Sequence, residues 1–274
     1  MARTYVITGA GSGIGKKTAE ILRERGETVR GVDLKGADIE GDLGTPEGRK
    51  KAVADALAAA NNKVDAVIAC AGISHPIPAT AAINYFGMTE FLEGIRPVLA
   101  QSEAPRAALI SSMSSLQPQH SELTAALLAN DEAKALEVAG RVAEDPKIAN
   151  MIYASSKRAI SRWVRQQSVT AEWAGAGIPL NAVAPGVVVT PMTADLLASE
   201  ETTKYVDAVV PMPLNYHQPP ESIANLLIWL TSVENTHCAG QTIYCDGGAD
   251  VVLRGEDAWS WADPHVEDYF SKLG

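Results

Sequence analysis

Thr8-Gly9-Ala10-Gly11-Ser12-Gly13-Ile14-Gly15 decides how this chain is read. It follows the apolar run Tyr5-Val6-Ile7-Thr8, which reads as a strand. It leads into Ile14 to Arg25, whose apolar spacing predicts a helix closed by Gly26. A strand, a glycine-rich turn and a helix make a site for a pyrophosphate. Glycines permit positive φ and a close approach of backbone to ligand. The free N–H groups and dipole of the helix start favour an anion. The spacing, Gly9-x-x-x-Gly13-x-Gly15 after Thr8, is not the Gly-x-Gly-x-x-Gly fingerprint. Alone, the turn does not separate a pyrophosphate site from a plain tight turn. The next strand, Thr28 to Val32, ends at Asp33, about 20 residues past the loop. An acidic side chain there binds the adenosine ribose hydroxyls of NAD and repels the extra phosphate of NADP. Lys35 close by argues the other way.

Outward from this unit, short apolar runs alternate with helical patterns, which predicts a parallel sheet covered by helices. Further strands are read at Asp38 to Gly41, Val64 to Cys70, Ala107 to Ile110, Leu180 to Ala184 and Gln241 to Cys245. Pro46 suits the first position of a helix reaching Ala60. The fold class is therefore α/β: one Rossmann-type doubly wound domain with a seven-stranded, mostly parallel sheet and helices on both faces. The domain covers residues 1–250. Within it, 117–150 is a helical insertion, rich in Ala, Leu and Glu, and 191–220 is a proline-rich substrate loop of coil or broken helices. Residues 251–274 form a tail.

Composition narrows the function. The 274 residues carry a net charge of −10, which argues against a phosphate-binding nucleic-acid surface. Cys70, Cys238 and Cys245 form no CxxC pair and leave one thiol over in any disulfide scheme. They are read as reduced thiols of a cytoplasmic protein. No signal peptide, no membrane span of about 20 apolar residues and no metal site is expected.

Tyr153 and Lys157 lie four apart on a predicted helix, one turn apart on one face. A free tyrosine has a pKa near 10, and an adjacent ammonium is expected to lower it. The phenol then exchanges a proton with a substrate oxygen near neutral pH. Ser111 and Ser112 follow a strand at the carboxyl edge, where open α/β sheets bind ligands.

With these residues in place, the sequence from Thr4 to about Gly248 resembles the short-chain dehydrogenase/reductase family. Gly9, Ser12, Gly13, Ile14 and Gly15 look like its cofactor loop, Asp42-Leu43 its adenine contact, and Ala71-Gly72 the turn after its fourth strand. Pro185, Gly186, Val188 and Thr190 resemble the segment that holds the nicotinamide carboxamide, and Asp246-Gly247-Gly248 the late strand ending. The resemblance implies Tyr153 as general acid–base, and Lys157 as its tuner and a ribose contact. It implies Ser112 as the group orienting the substrate oxygen, and Asn84 as support of a water-linked proton path. The cofactor implied is NAD; the partner is a small ketone or secondary alcohol. Cys70 departs from the family, standing where an asparagine usually ties strands together, and is expected to be a buried packing residue.

The gap from Ser112 to Tyr153 is long for the family. The insertion and the Cys70-Ala71-Gly72 turn resemble its bacterial hydroxysteroid dehydrogenase/carbonyl reductase branch, where the insertion hinders one subunit interface. A homodimer is expected, with a homotetramer as the alternative. Candidate substrate contacts are Ser114, Tyr153 and Met192, with His75 and the prolines near Pro211 behind them. Steroid, alicyclic, aryl and aryl amino-alcohol substrates all remain open. The tail holds Trp259, Trp261, Tyr269 and Phe270 and either packs on a neighbouring subunit or caps the site. Two other readings compete. A nucleotide-sugar epimerase would bring a larger second domain and a different glycine loop. A redox sensor holding NAD(H) without turnover would tend to lack the tyrosine or lysine.

Overall fold

The computed structural model describes residues 2–272. Seven strands form one sheet: β1 (Thr4–Thr8), β2 (Thr28–Asp33), β3 (Ile39–Glu40), β4 (Ala66–Ala69), β5 (Arg106–Ile110), β6 (Leu180–Pro185) and β7 (Thr242–Cys245), in the order β3-β2-β1-β4-β5-β6-β7. Every neighbouring pair is parallel, so the sheet is wholly parallel. β1, β4, β5 and β6 are buried along their whole length, as strands covered on both faces must be. β3 is shorter than expected and pairs only through Ile39 and Glu40.

The helices, in chain order, are α1 (Gly13–Glu24), α2 (Pro46–Ala59), α3 (Pro78–Ala81), α4 (Met88–Leu99), α5 (Ser121–Leu128), α6 (Glu132–Ala143), α7 (Met151–Gln167), α8 (Glu200–Val209), α9 (Pro220–Leu230), α10 (Ala249–Arg254) and α11 (Asp263–Ser271). A π-helical stretch, Ala82–Gly87, joins α3 to α4. On one face of the sheet α1 and α9 supply Ala19, Leu22, Ile223 and Leu227 to the core. On the other, α2, α4 and α7 supply Ala52, Phe91, Ile95, Ile160 and Trp163. The chain leaves β1 toward β2 and β3, then returns to the far side of β1 at β4. That reversal opens a crevice at the strands' carboxyl ends.

The insertion is helical, as expected: α5 and α6 bury Leu123, Leu127, Val138 and Val142 in the same core as α7. Asp131 caps α6 by accepting the Lys134 N–H at 3.0 Å. Arg49 of α2, fully buried, reaches Glu90 of α4 and Glu132 of α6. The 191–220 region is a run of broken helices and irregular chain. After two short 3₁₀ turns it forms α8, an unbroken ten-residue helix started by the Ser199/Thr202 capping box. The reason is placement: the prolines stand at Pro191 and from Pro211 on, leaving 192–210 free to be helical.

At the opposite end of the sheet, the Arg3 guanidinium bonds the carbonyls of Asp65 and Ala104 at 2.9 Å and of Thr231 at 3.3 Å. Beyond α10 the tail runs through a 3₁₀ turn into α11, and its four aromatic side chains are exposed. Among the described residues no helix is long and apolar enough to cross a membrane.

Candidate active site

The glycine loop is shaped by backbone contacts that leave no room for side chains. Gly9 has φ +71, and a Cβ there would lie 2.7 Å from the Ala71 nitrogen. A Cβ on Gly15 would lie 2.3 Å from the Gly9 carbonyl oxygen. β1, the start of α1 and the turn after β4 therefore meet backbone to backbone. Thr8 Oγ1 accepts the N–H groups of both Cys70 and Ala71 at 3.2 Å. It thus holds β1 to β4 where the family's asparagine is absent. Cys70 packs against the core but also lines the cleft, so it is not wholly buried as expected.

Asp33 stands at the cleft's far edge. Its carboxylate accepts the Gly11 N–H at 2.8 Å and the Leu34 N–H at 2.6 Å, which fixes its direction. Asp42 accepts the Gly44 N–H at 2.8 Å, holding the Asp42-Leu43 corner.

At the near end, β5 runs into Ser111 and Ser112. Ser112 is extended and accepts the Ser114 N–H at 3.1 Å. α7 places Tyr153 and Lys157 one turn apart, with Lys157 Nζ 5.6 Å from the tyrosine ring centroid. Nζ donates to the Ile110 carbonyl at 3.0 Å. Ser111 also lines the cleft; its hydroxyl pairs with Ser161 at 2.8 Å and donates to the Lys157 carbonyl at 3.1 Å, locking α7 to β5. Asn84 sits in the π-helical stretch, fully buried. Its amide clamps Ile73 from both sides, accepting its N–H and donating to its carbonyl at 2.9 Å. It also donates to Ser156 at 3.3 Å.

The protonation states differ from the simple expectation. Burial raises the Tyr153 phenol above 10, and the neighbouring Ser112 hydroxyl pulls it partly back. Burial brings Lys157 down to about 8. Desolvation acts against the charged form of each group, and the net shift of the phenol is upward. Burial likewise pushes the Cys70 thiol up to about 12.

One cavity of about 370 Å³ gathers Gly9, Ser12, Gly13, Ile14, Gly15, Asp33, Asp42, Leu43, Ala71, Gly72, Ser112, Tyr153, Lys157, Pro185, Gly186, Val188, Thr190 and Met192. Asn84 lies behind its wall. Ser114 is outside the lining: it sits in the 3₁₀ turn, where its backbone N–H donates to Ser112. His75 is exposed and also outside, and Pro211 lines a separate depression with Asp207, Tyr216 and His217. Lining residues that sequence reasoning missed include Leu34, Ile73, Ile83 and Thr193. Ile73 follows the Ala71-Gly72 turn directly in the chain. Ile83 and Thr193 carry no chemical signature that would single them out.

A pyrophosphate-shaped glycine loop at a switch point, with serine, tyrosine and lysine at one end, defines a dinucleotide-binding α/β protein. A family model described as enoyl-(acyl carrier protein) reductase matches residues 9–250. The chain is 34% identical over 256 residues to the 3-alpha-hydroxysteroid dehydrogenase/carbonyl reductase of Comamonas testosteroni, covering 91% of this chain and 97% of that one. The structure of the 3-alpha-hydroxysteroid dehydrogenase of Pseudomonas sp. B-0831, complexed with NADH, matches with TM-score 0.84 and 34% identity over 93% of this chain and 99% of that one. A putative NAD(P)-dependent gluconate 5-dehydrogenase of Beutenbergia cavernae with bound NADP matches with TM-score 0.71 and 26% identity, over 92% and 98%. The chain belongs to the short-chain dehydrogenase/reductase family and is an alcohol/carbonyl oxidoreductase.

Proposed function

We propose that this protein interconverts a secondary alcohol and a ketone with NAD(H), using Tyr153 as its acid–base group. The observation that carries this reading is the single cleft with Asp33 at one end and Ser112, Tyr153 and Lys157 at the other. The cradle fits a dinucleotide: the loop glycines line the cleft, and a Cβ at Gly9 or Gly15 would push apart the backbones that shape it. Gly9, Ser12, Gly13, Ile14 and Gly15 would hold the pyrophosphate, Asp33 the adenosine ribose, and Asp42 and Leu43 the adenine. Pro185, Gly186, Val188 and Thr190 would hold the carboxamide. When bound, the nicotinamide supplies the hydride chemistry. Asp33 favours NAD, since a carboxylate repels a ribose phosphate.

In the reducing direction the substrate carbonyl oxygen accepts hydrogen bonds from Ser112 and Tyr153, and the phenol gives up its proton. The raised pKa of Tyr153 keeps that proton in place at neutral pH. Lys157, held by the Ile110 carbonyl, stabilises the phenolate that forms. Asn84 holds the Ile73 backbone, and with it the wall beside Lys157. Lys157 is the cavity's lysine, and no arginine joins it among the described lining residues. Carboxylates and phosphates are therefore disfavoured, which leaves a steroid, alicyclic or aryl ketone or alcohol, or an aryl amino alcohol. Met192, at the rim, gives an apolar contact. The working form is a cytoplasmic homodimer or homotetramer.

The test is NADH formation from NAD and a panel of steroid, alicyclic and aryl secondary alcohols. Tyr153→Phe is expected to lower kcat/KM by about 10²–10⁴-fold while NADH still binds. NADH binding without turnover of any alcohol or matching ketone would move the protein to the sensor reading, which the intact Tyr153 and Lys157 do not favour.

A further inference from the structure

The helical insertion ends, in space, on the cofactor cleft, and the link is one side chain. Arg49 of α2 is 1% exposed. Its Nε donates to Glu90 of α4 at 2.7 Å. Its two terminal nitrogens grip Glu132, at the start of α6, at 3.1 and 2.5 Å. Nη1 also reaches the Leu43 carbonyl at 3.5 Å, and the guanidinium lies 5.9 Å from the Phe86 ring centroid. Leu43 lines the cleft. Its corner has little freedom elsewhere. A Cβ on Gly48 would lie 2.1 Å from the Asp42 carbonyl, and one on Gly87 would lie 3.0 Å from the Leu43 carbonyl. The Asp42-Leu43 corner is thus wedged between the first turn of α2 and the π-helical stretch, with Arg49 bridging the two.

We propose that Arg49 is a positioning residue for the adenine end of the cleft, and that the insertion anchors it through Glu132. A buried guanidinium must keep its partners, because an unpaired charge in the interior is costly. Bidentate pairing also fixes the plane of the guanidinium, and so the direction of its contact with Leu43. Glu90 and Glu132 pull from two helices, and the balance between them sets where Arg49 sits. Loss of the Glu132 charge leaves Glu90, more than a third exposed, as the stronger partner. Arg49 then moves toward α4 and releases the Leu43 corner. The insertion in this way governs how tightly the cofactor's adenosine half is held, and leaves the chemistry at Tyr153 alone.

This assignment rests on the cofactor reading of the cleft, and the test separates the two. Binding of ADP-ribose and of NADH is measured by calorimetry, alongside kcat and KM for NAD, in native protein, Glu132→Gln and Arg49→Lys. Lys134→Ala, in the same helix turn but without contact to Arg49, is the control. Glu132→Gln and Arg49→Lys are expected to weaken ADP-ribose binding and raise KM for NAD roughly five- to tenfold, with kcat within about twofold. Lys134→Ala leaves both unchanged. Glu132→Gln keeps the hydrogen-bonding shape on a partly exposed residue, so it folds even where Arg49→Lys does not. ADP-ribose affinity within twofold of native in Glu132→Gln overturns the assignment alone, as does a fall in kcat equal to the loss in cofactor affinity. Native protein that binds neither ADP-ribose nor NADH overturns the cofactor reading and this assignment together.

Discussion

Asp33 spends both carboxylate oxygens on backbone N–H groups, so its charge is held at the cleft edge and does not swing away. Asp33→Ser is expected to raise the NADP-to-NAD ratio of kcat/KM by at least about tenfold, read from paired kinetics with the two cofactors. Lys157 gives a second measurement. Burial lowers it from 10.5 to about 8. Below about pH 8 the ammonium is present in folded and unfolded chains alike, and the folded state bears the whole cost of burying it. Above that pH the folded state loses its proton first, so stability from this group rises as pH climbs from about 8 toward 10.5. Cys70 acts in the opposite sense from pH 9 to about 12. Urea denaturation of native protein and Lys157→Met is therefore compared from pH 7 to 9, and the native protein is expected to gain on the variant as pH rises. A difference that stays flat would place Lys157 in a wetter site than this one. Residue identities were legible in the sequence because Tyr153 and Lys157 share a helix face by spacing alone. Their proton states were not, because desolvation depends on the strands and turns packed around them.

Local pattern named most elements, and tertiary placement decided the rest. β1, α1 and β2 follow from apolar periodicity closed by glycine, and their order fixed the crevice. β3 shrank to two residues because only Ile39 and Glu40 reach a partner strand. α8 was masked by the prolines at its borders, although Ser199-x-x-Thr202 marks its start. Asn84's surroundings were hidden too: nothing in Ala82 to Gly87 announces a π-helix, which brings the amide to Ile73. Two variants act at this scale. Gly15→Ala would force α1 off β1, since the new methyl overlaps the Gly9 carbonyl. A loss of about 1–3 kcal/mol in chemical denaturation is expected, together with loss of NADH binding. Ser199→Ala removes the α8 cap and should cost about 1 kcal/mol locally, seen as faster amide exchange at Thr202 and Thr203 without a shift in global unfolding.

The whole molecule is organised around a crevice that its own tail does not reach. None of Trp259, Trp261, Tyr269 and Phe270 lines the cleft of its own chain, and all four face solvent. On the homo-oligomer proposed above, removing residues 255–274 is expected to lower the mass in light scattering while leaving KM for NAD unchanged. A rise in the substrate KM at unaltered mass would instead make the tail a cap. Arg3 has a different reach. Its guanidinium joins carbonyls at Asp65, Ala104 and Thr231, which belong to the first, second and last quarters of the chain. During synthesis the bonds to Asp65 and Ala104 can form well before α9 exists, whereas the anchor at Thr231 is made only after α9 has emerged. The start of β1 is thus tied to its early neighbours first, and the nascent chain adds the last of these ties only when α9 docks.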